Sequence, residues 1–362
     1  MPDHAERKAE HLDLCATDAV AFRETTTLFD EIGLVHDALP ELAVSGIDTS
    51  TVLVGRSLKA PLVIAAMTGG VQRADSVNRD LAAIAESLGL AFGFGSMRPL
   101  LEHGITAGYL VRDVAPTALL LGNLGVVQAG AASIGQLVDL VGRTGVNALC
   151  IHLNPAMELI QAGGDDDFRG GLDTLAAVSE ALPVPVIVKE TGCGISRSVA
   201  SRIAGIGVRT VDISGAGGTS WVGVETLRAR ARTRELGERF WDWGIPTAAS
   251  LCRLSGLPLD VVATGGVRHG LDAAKAIALG ATAAGIARPF LQAHTRGGHA
   301  EANSLALQIV DEIRTVLLLT GCRNLNALRA AAVHVGPTLQ RWVVAGSPLA
   351  DRLDAFRRGT SG

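Results

Sequence analysis

The 362-residue chain has no apolar run approaching the roughly 18 to 20 residues that a membrane-crossing helix requires. No apolar segment follows the polar start "MPDHAERKAEH", so neither a membrane anchor nor a secretion signal is indicated, and a cytoplasmic protein is expected. Its five cysteines, Cys15, Cys150, Cys193, Cys252 and Cys322, show no CxxC and no ligand-like spacing, which argues against a zinc site and against a disulfide framework. Aromatic residues make up only 4% and the formal charge is −4 without a basic stripe, so a nucleic-acid surface is not expected. An anionic ligand would have to be held by local cations.

What is abundant is apolar material and glycine. Hydrophobic residues at 48% can fill a large core. The 43 glycines exceed the usual share of about 7%, and many stand where an apolar run ends, as though backbone there approaches a phosphate. Eight short β-type runs recur in order: "LVIAAM", "LAFGFG", "ALLLGN", "NALCIHL", "PVIVKE", "RTVDISG", "DVVATGG" and "TAAGIA". They are continuous in Val, Ile, Leu and Ala instead of alternating, which marks strands buried on both faces. Helical stretches such as "VNRDLAAIAESLG" and "LDAAKAIALG" supply the crossovers that parallel strands need.

The expected fold is an α/β (β/α)8 TIM barrel. An open doubly wound sheet would be expected to carry GxGxxG after its first strand, and "AAMTGG" does not provide it. A single domain over 1–362 is expected, with an N-terminal extension at 1–55, the barrel at 56–345 and a C-terminal tail at 346–362. The long loop after strand 6, "GTSWVGVETLRARARTRELGERFWDWG", holds three of the four tryptophans and reads as a lid, a subunit contact or a small core of its own.

In such barrels the C-terminal strand ends converge on one site. Here they carry Ala66, Met67 and Thr68, then Ser96 and Arg98, then Asn123. His152, Asn154, Met157 and Glu158 follow the fourth run, Lys189 and Glu190 the fifth, and Ser214 through Gly218 and Thr219 the sixth. The glycine-bearing ends of the last two runs, Gly265, Gly266, Gly285, Ile286 and Ala287, stand where barrels commonly hold a phosphate. Lys189 closes a buried apolar run and needs an anion. A reduced flavin would serve, with Thr68, Ser96 and Asn123 on its polar edge, and so would a salt bridge to Glu190 or Asp212.

The segments "RKAEHL", "AAMTGG", "GSMR", "IHLNPAMEL", "GGDDDF", "VPVIVKETGCGIS", "DISGAGGTSW", "WGIPTAASL", "ATGGVRHGLDAAKAIALGA", "GIARPFL" and "LTGCRNL" run through nearly the whole chain. In that order they resemble the FMN-dependent type 2 isopentenyl-diphosphate isomerases. The resemblance implies a 1,3-proton shift on isopentenyl diphosphate or an alkylated homologue, with reduced FMN, Mg2+ and NAD(P)H as reductant. It implies that Arg7, Lys8 and His11 bind the diphosphate together with Ser96, Arg98 and Asn154, and that Glu158 holds Mg2+. His152, Met157 and Glu158 become the candidate catalytic group. The strand-end residues, extended to Arg268 and Arg288, become the flavin site, in a homo-oligomer, tetramer or octamer.

Two departures stand out. Where the family has glutamines this chain has Met97 and Met157, thioethers that cannot donate hydrogen bonds and are expected on the cavity wall. "AGGDDDF" lacks the family's Glu and Arg, having Gly163 and Asp166. Drift explains this, and so does an apolar pocket adapted to a bulkier substrate. A hydroxy-acid-oxidase-like oxidoreductase and a non-catalytic flavoprotein are the alternatives. An IMP-type dehydrogenase would be expected to offer a cysteine in "ISGAGGTSW", which has none.

Overall fold

The computed structural model describes residues 4–357, with side chains from Glu10 onward. The eight runs form eight parallel strands: β1 (Leu62–Ile64), β2 (Ala91–Gly93), β3 (Leu119–Gly125), β4 (Ala148–Leu153), β5 (Val186–Glu190), β6 (Thr210–Asp212), β7 (Asp260–Ala263) and β8 (Ala283–Ile286). They pair in chain order, and β8 returns to β1 with Ala284 opposite Leu62 and Ile286 opposite Ile64, closing the barrel.

Side chains fill the lower half of this barrel. Val63, Ala91, Leu119, Ala148, Ile187 and Ala283 cluster with Leu53 and Leu58 of an antiparallel hairpin, Thr51–Leu53 with Arg56–Leu58, which plugs the N-terminal end of the strands. Open space is therefore left only toward the C-terminal strand ends, where barrel enzymes place their sites.

Helices wrap the outside because their apolar residues recur at helical spacing. Helix Gln72–Leu88 buries Ala74, Val77, Leu81 and Ala85 and stops at Gly89, which takes the left-handed conformation (φ 65°) that a side chain would resist. Ser133 and Gln136 form a reciprocal cap at the start of helix Ile134–Thr144.

The extension and the loop after β6 come together over the barrel mouth. Phe22 N donates to Gly218 O (3.1 Å) and Ser220 N to Val20 O (2.8 Å), so the early chain lies along the start of that loop. The loop itself folds as helices Trp221–Arg228 and Ala231–Phe240, and helix Thr247–Leu254 follows it before β7. Its three tryptophans have different surroundings. Trp221 lines the cavity, Trp241 is buried with Nε1 donating to Ala21 O (2.9 Å) under the Arg23 guanidinium, and Trp243 is exposed. At the other end, Ile32–Leu34 pairs antiparallel with Val333–Val335, and helix Pro348–Arg357 in the C-terminal segment buries Leu349 and Leu353. Among the described residues no helix is long and apolar enough to cross a membrane.

Candidate active site

One cavity of about 650 Å³ opens at the C-terminal strand ends, within the roughly 300–1,000 Å³ usual for small-ligand sites. The residues expected there line it, with few exceptions. Ile286 is fully buried in the core, where its carbonyl accepts from Ala65 N (2.9 Å). Arg7 and Lys8 fall on helix His4–Cys15, but their side chains lie outside the described residues. Met97, expected on the wall, is instead packed wholly in the core, while Met157 does face the cavity. The difference is local: Met97 directly precedes helix Arg98–His103 and its N–H donates to Asn123 O (2.7 Å), which seats its side chain beneath the strand ends.

The first wall is built from β1 to β3. The backbone of Thr68 is held by Gly95 N (2.9 Å) and by the buried Asn78 amide, whose Nδ2 also donates to Gly108 O (3.1 and 2.7 Å respectively). The Tyr109 hydroxyl donates to Ser96 O. Arg98 pairs with Glu102 one helical turn on (2.8 Å) and still borders the cavity.

The β4 end is the acceptor-rich pole. Asn123 Nδ2 donates to Phe94 O (3.0 Å), which turns its oxygen toward His152 Nδ1 (2.8 Å). That nitrogen therefore carries the hydrogen, and in the neutral ring Nε2 is the basic atom. Glu158, on the short helix Pro155–Glu158, accepts from Asn154 Nδ2 (2.6 Å), Gln161 Nε2 (3.0 Å) and Asp165 N (2.9 Å). The carboxylate is thus fixed in place. No trio of His, Cys, Asp or Glu able to enclose a metal exists among the described residues. This donor set fits a hard cation that keeps most of its shell from water and phosphate oxygens, as Mg2+ does.

Lys189 has a protein partner, and of the two carboxylates the sequence offered for a salt bridge it is Asp212. Its Nζ lies 2.7 Å from Asp212 Oδ2 and 3.4 Å from Thr264 Oγ1, while Glu190 turns away to accept three successive backbone N–H groups of residues 191–193. Ser214 and Thr264 line the wall beside it.

The loops after β7 and β8 form the cationic pole, with Arg268 and Arg288 flanking Gly265, Gly266, Gly285 and Ala287. The glycines are required by packing first. A Cβ on Gly218 would stand 2.3 Å from Gly266 N, and one on Gly285 2.2 Å from Thr264 Cγ2. His269 caps helix Gly270–Ala278 by accepting from Asp272 N (3.2 Å). Arg288 Nη1 is buried, sits 3.6 Å from Asp18 Oδ1 and makes no hydrogen bond among the described residues. A buried guanidinium N–H without a partner is costly, and a phosphate oxygen would satisfy it. The residues at this pole therefore fit the phosphate end of FMN.

The N-terminal helix covers the mouth. His11 Nε2 lies 2.7 Å from Glu225 Oε1, Arg228 Nη1 donates to Glu225 Oε2 (2.6 Å), and Arg228 Nε to Glu10 (2.6 Å). Burial would push the Glu225 carboxyl up, but His11 and Arg228 more than offset it and hold it below the ordinary carboxylate range. Sequence reasoning missed Glu225, Arg228 and Gln161, and offered Asp212 only as a possible salt-bridge partner of Lys189. Only Gln161, one helical turn from Glu158, carried a visible signal.

Residues 4–108 and 129–335 match the model of the FMN-dependent dehydrogenase family. The chain is 42% identical over 342 residues to the isopentenyl-diphosphate delta-isomerase of Methanothermobacter thermautotrophicus, covering 94% of this chain and 95% of that protein. It is 46% identical over 333 residues to the isopentenyl-diphosphate delta-isomerase of a Synechococcus species, covering 91% and 95%. Solved structures similar in fold include a flavocytochrome b2 with sulfite bound (TM-score 0.67, 19% identity, 95% of this chain and 87% of that one). A mandelate oxidase variant with benzaldehyde is also similar (TM-score 0.63, 19% identity, 93% and 95%).

Proposed function

The chain belongs to the FMN-dependent dehydrogenase family and, within it, to the type 2 isopentenyl-diphosphate delta-isomerases, and from that premise we propose that it isomerises isopentenyl diphosphate or an alkylated homologue by a 1,3-proton shift. The observation that carries the reading is the two-poled cavity. The unsatisfied Arg288 N–H and the β7 and β8 loops suit the phosphate of FMN at one end. The fixed Glu158 carboxylate with Asn154 and His152 suits a metal-bound diphosphate at the other.

In this reading His11, Ser96, Arg98 and Asn154 hold the diphosphate, together with Arg7 and Lys8 of the N-terminal extension. Glu158 supplies the single carboxylate for Mg2+. When bound in its reduced form, with NAD(P)H as reductant, FMN supplies at N5 a group able to exchange a proton with carbon. The residues around it do what a weakly basic alkene needs: they exclude water and hold the three reacting carbons still. The N-terminal helix, tied through His11 to Glu225, closes the mouth. His152, its Nδ1–H fixed by Asn123, keeps a basic nitrogen on the β4 side. A cytoplasmic homo-oligomer, tetramer or octamer, is part of the same proposal.

The test is spectral and chemical together. Purified protein reduced under anaerobic conditions, with Mg2+, is given isopentenyl diphosphate or its methylated homologue, and allylic product is followed alongside flavin absorbance. Many turnovers without a change of flavin oxidation state are expected. Flavin reoxidation in step with product, or, in a parallel aerobic sample of the oxidised protein, bleaching of the flavin by substrate with oxygen uptake, would overturn the isomerase reading in favour of an oxidoreductase.

A further inference from the structure

We propose that Asp212 is a charge-compensating positioning residue: it fixes Lys189 against the cavity wall and cancels most of the positive charge that Lys189 would otherwise present to a bound flavin. The inference rests on the flavin reading above and adds what neither the sequence nor the family relation assigns, a residue that sets how strongly the site attracts negative charge onto the cofactor.

Geometry carries it. Lys189 and Asp212 are register partners on the adjacent parallel strands β5 and β6, so their side chains rise side by side from the same level of the barrel. Nζ and Oδ2 are 2.7 Å apart and both side chains are about 10% exposed. Asp212 has no freedom to swing away, because its other oxygen accepts from the Thr264 hydroxyl and from Ser214 N (3.3 Å). Lys189, Ser214 and Thr264 line the cavity whereas Asp212 stands behind them. A ligand in the cavity therefore meets an ammonium backed directly by a carboxylate.

The opposition of the two charges is visible at a third group. Burial pushes the Cys150 thiol up to about 12, and of the two neighbouring charges Asp212 pushes it further up while Lys189 pulls it down. An uncompensated cation at this depth would act on a flavin with little screening. It would favour every form of the ring that carries added negative charge, and so make the cofactor a better electron acceptor and a better target for anionic nucleophiles. The compensated pair still offers N–H donors but little net field. That suits a reaction in which the flavin must finish each cycle in the oxidation state in which it began.

The test uses the full-length FMN-loaded protein and two readouts independent of turnover: sulfite affinity of the oxidised flavin, followed by loss of its visible absorbance, and the two-electron midpoint potential. Sulfite addition places negative charge on the ring, so its affinity reports the local field. Asp212→Asn is expected to tighten sulfite binding at least tenfold and, separately, to favour reduction of the flavin at least tenfold, a rise of about 30 mV in the two-electron midpoint. Lys189→Met is expected to move both readouts the opposite way, the double variant to return within threefold of the parent, and Asp212→Glu to restore parental values.

Breaking a buried pair is destabilising whereas deleting both charges is often tolerated. If Asp212→Asn does not fold, the comparison of Lys189→Met with the double variant carries the same test, the double binding sulfite at least tenfold more tightly. An Asp212→Asn protein that holds flavin but shows unmoved or weakened sulfite affinity overturns the inference. So does a double variant no tighter than Lys189→Met. A merely structural Asp212 would loosen flavin in every variant without opposite shifts. A parent protein that takes up no flavin overturns the cofactor reading and this inference with it, whereas flavin-loaded proteins without the opposed shifts overturn this inference alone.

Discussion

Glu190 offers a prediction whose sign and size follow from its surroundings. It ends β5, is buried, and accepts from the N–H groups of Thr191 (2.6 Å), Gly192 (2.6 Å) and Cys193. Burial, the largest influence, raises its pKa from 4.5 to about 7, although the three N–H groups and Lys189 pull the other way. The folded protein therefore holds a proton on Glu190 over a range in which the unfolded chain has lost it. Between pH 4.5 and 7 the folded state binds more protons, so stability falls as pH rises: the contribution is fully present below about 4.5 and gone above about 7. At 1.36 kcal/mol per pH unit the loss is on the order of 3 kcal/mol. Glu190→Gln cannot titrate. Any fixed cost of the amide, which must accept the same three N–H groups, applies at every pH and cancels in the comparison. Urea unfolding of both proteins at pH 5 and pH 8 should therefore show the variant gaining most of that amount on its parent at the higher pH. Unfolding free energies that run parallel between the two pH values would refute the assignment of a raised pKa to Glu190.

Three further outcomes are expected. Glu158→Gln should abolish the Mg2+ response and most activity while leaving FMN content intact, because a neutral amide is a poor ligand for a hard cation; an unchanged metal titration would make Glu158 structural only. Glu225→Gln leaves Arg228 and His11 without their shared carboxylate in a buried setting, at a cost of roughly 3 to 5 kcal/mol. Residues 10–15 should then exchange amide hydrogens faster, and unaltered protection there would refute the idea that Glu225 holds the N-terminal helix over the mouth. Met157→Gln should raise turnover of isopentenyl diphosphate relative to its methylated homologue, since a methyl-sized difference in an apolar pocket is worth about 1 to 3 kcal/mol. A parent protein that already prefers the unmethylated substrate would end the idea of an adapted pocket.

The barrel was legible because strands buried on both faces must be continuously apolar, and because each run stops at a glycine or polar residue where the chain leaves the core. Every one of the eight runs coincides with a barrel strand. Pairings between strands were harder to read. Asp212 lies 23 residues beyond Lys189, and the two meet only because the parallel register sets them opposite each other. Residues that end successive runs at the same height become neighbours. "VIVKE" and "RTVDISG" contain that information only once the register is known. The His11–Glu225 contact was less accessible still, joining groups 214 residues apart on segments outside the barrel.

The two methionines and the glycines show where residue type alone misleads. Met97 and Met157 look like the same change, a thioether where the family resemblance implies an amide, yet only Met157 reaches the cavity. A substrate can sense one of them and not the other, so an effect on specificity has to be sought at Met157, with Met97 acting through core packing. The glycine excess has a similar double meaning. The loops after β6 and β7 touch backbone to backbone, with Gly218 against Gly266, and no larger residue could stand there whether or not a phosphate binds. The case for an anion at the pole formed by the β7 and β8 loops rests on something the sequence could not display, the buried Arg288 nitrogen that finds no hydrogen-bond acceptor among the described residues. Because an unpaired N–H of this kind costs roughly 1 to 3 kcal/mol, filling it with a phosphate oxygen would return that energy as cofactor affinity. The loops after β7 and β8, with Arg268 and Arg288, are the residues that would hold that phosphate.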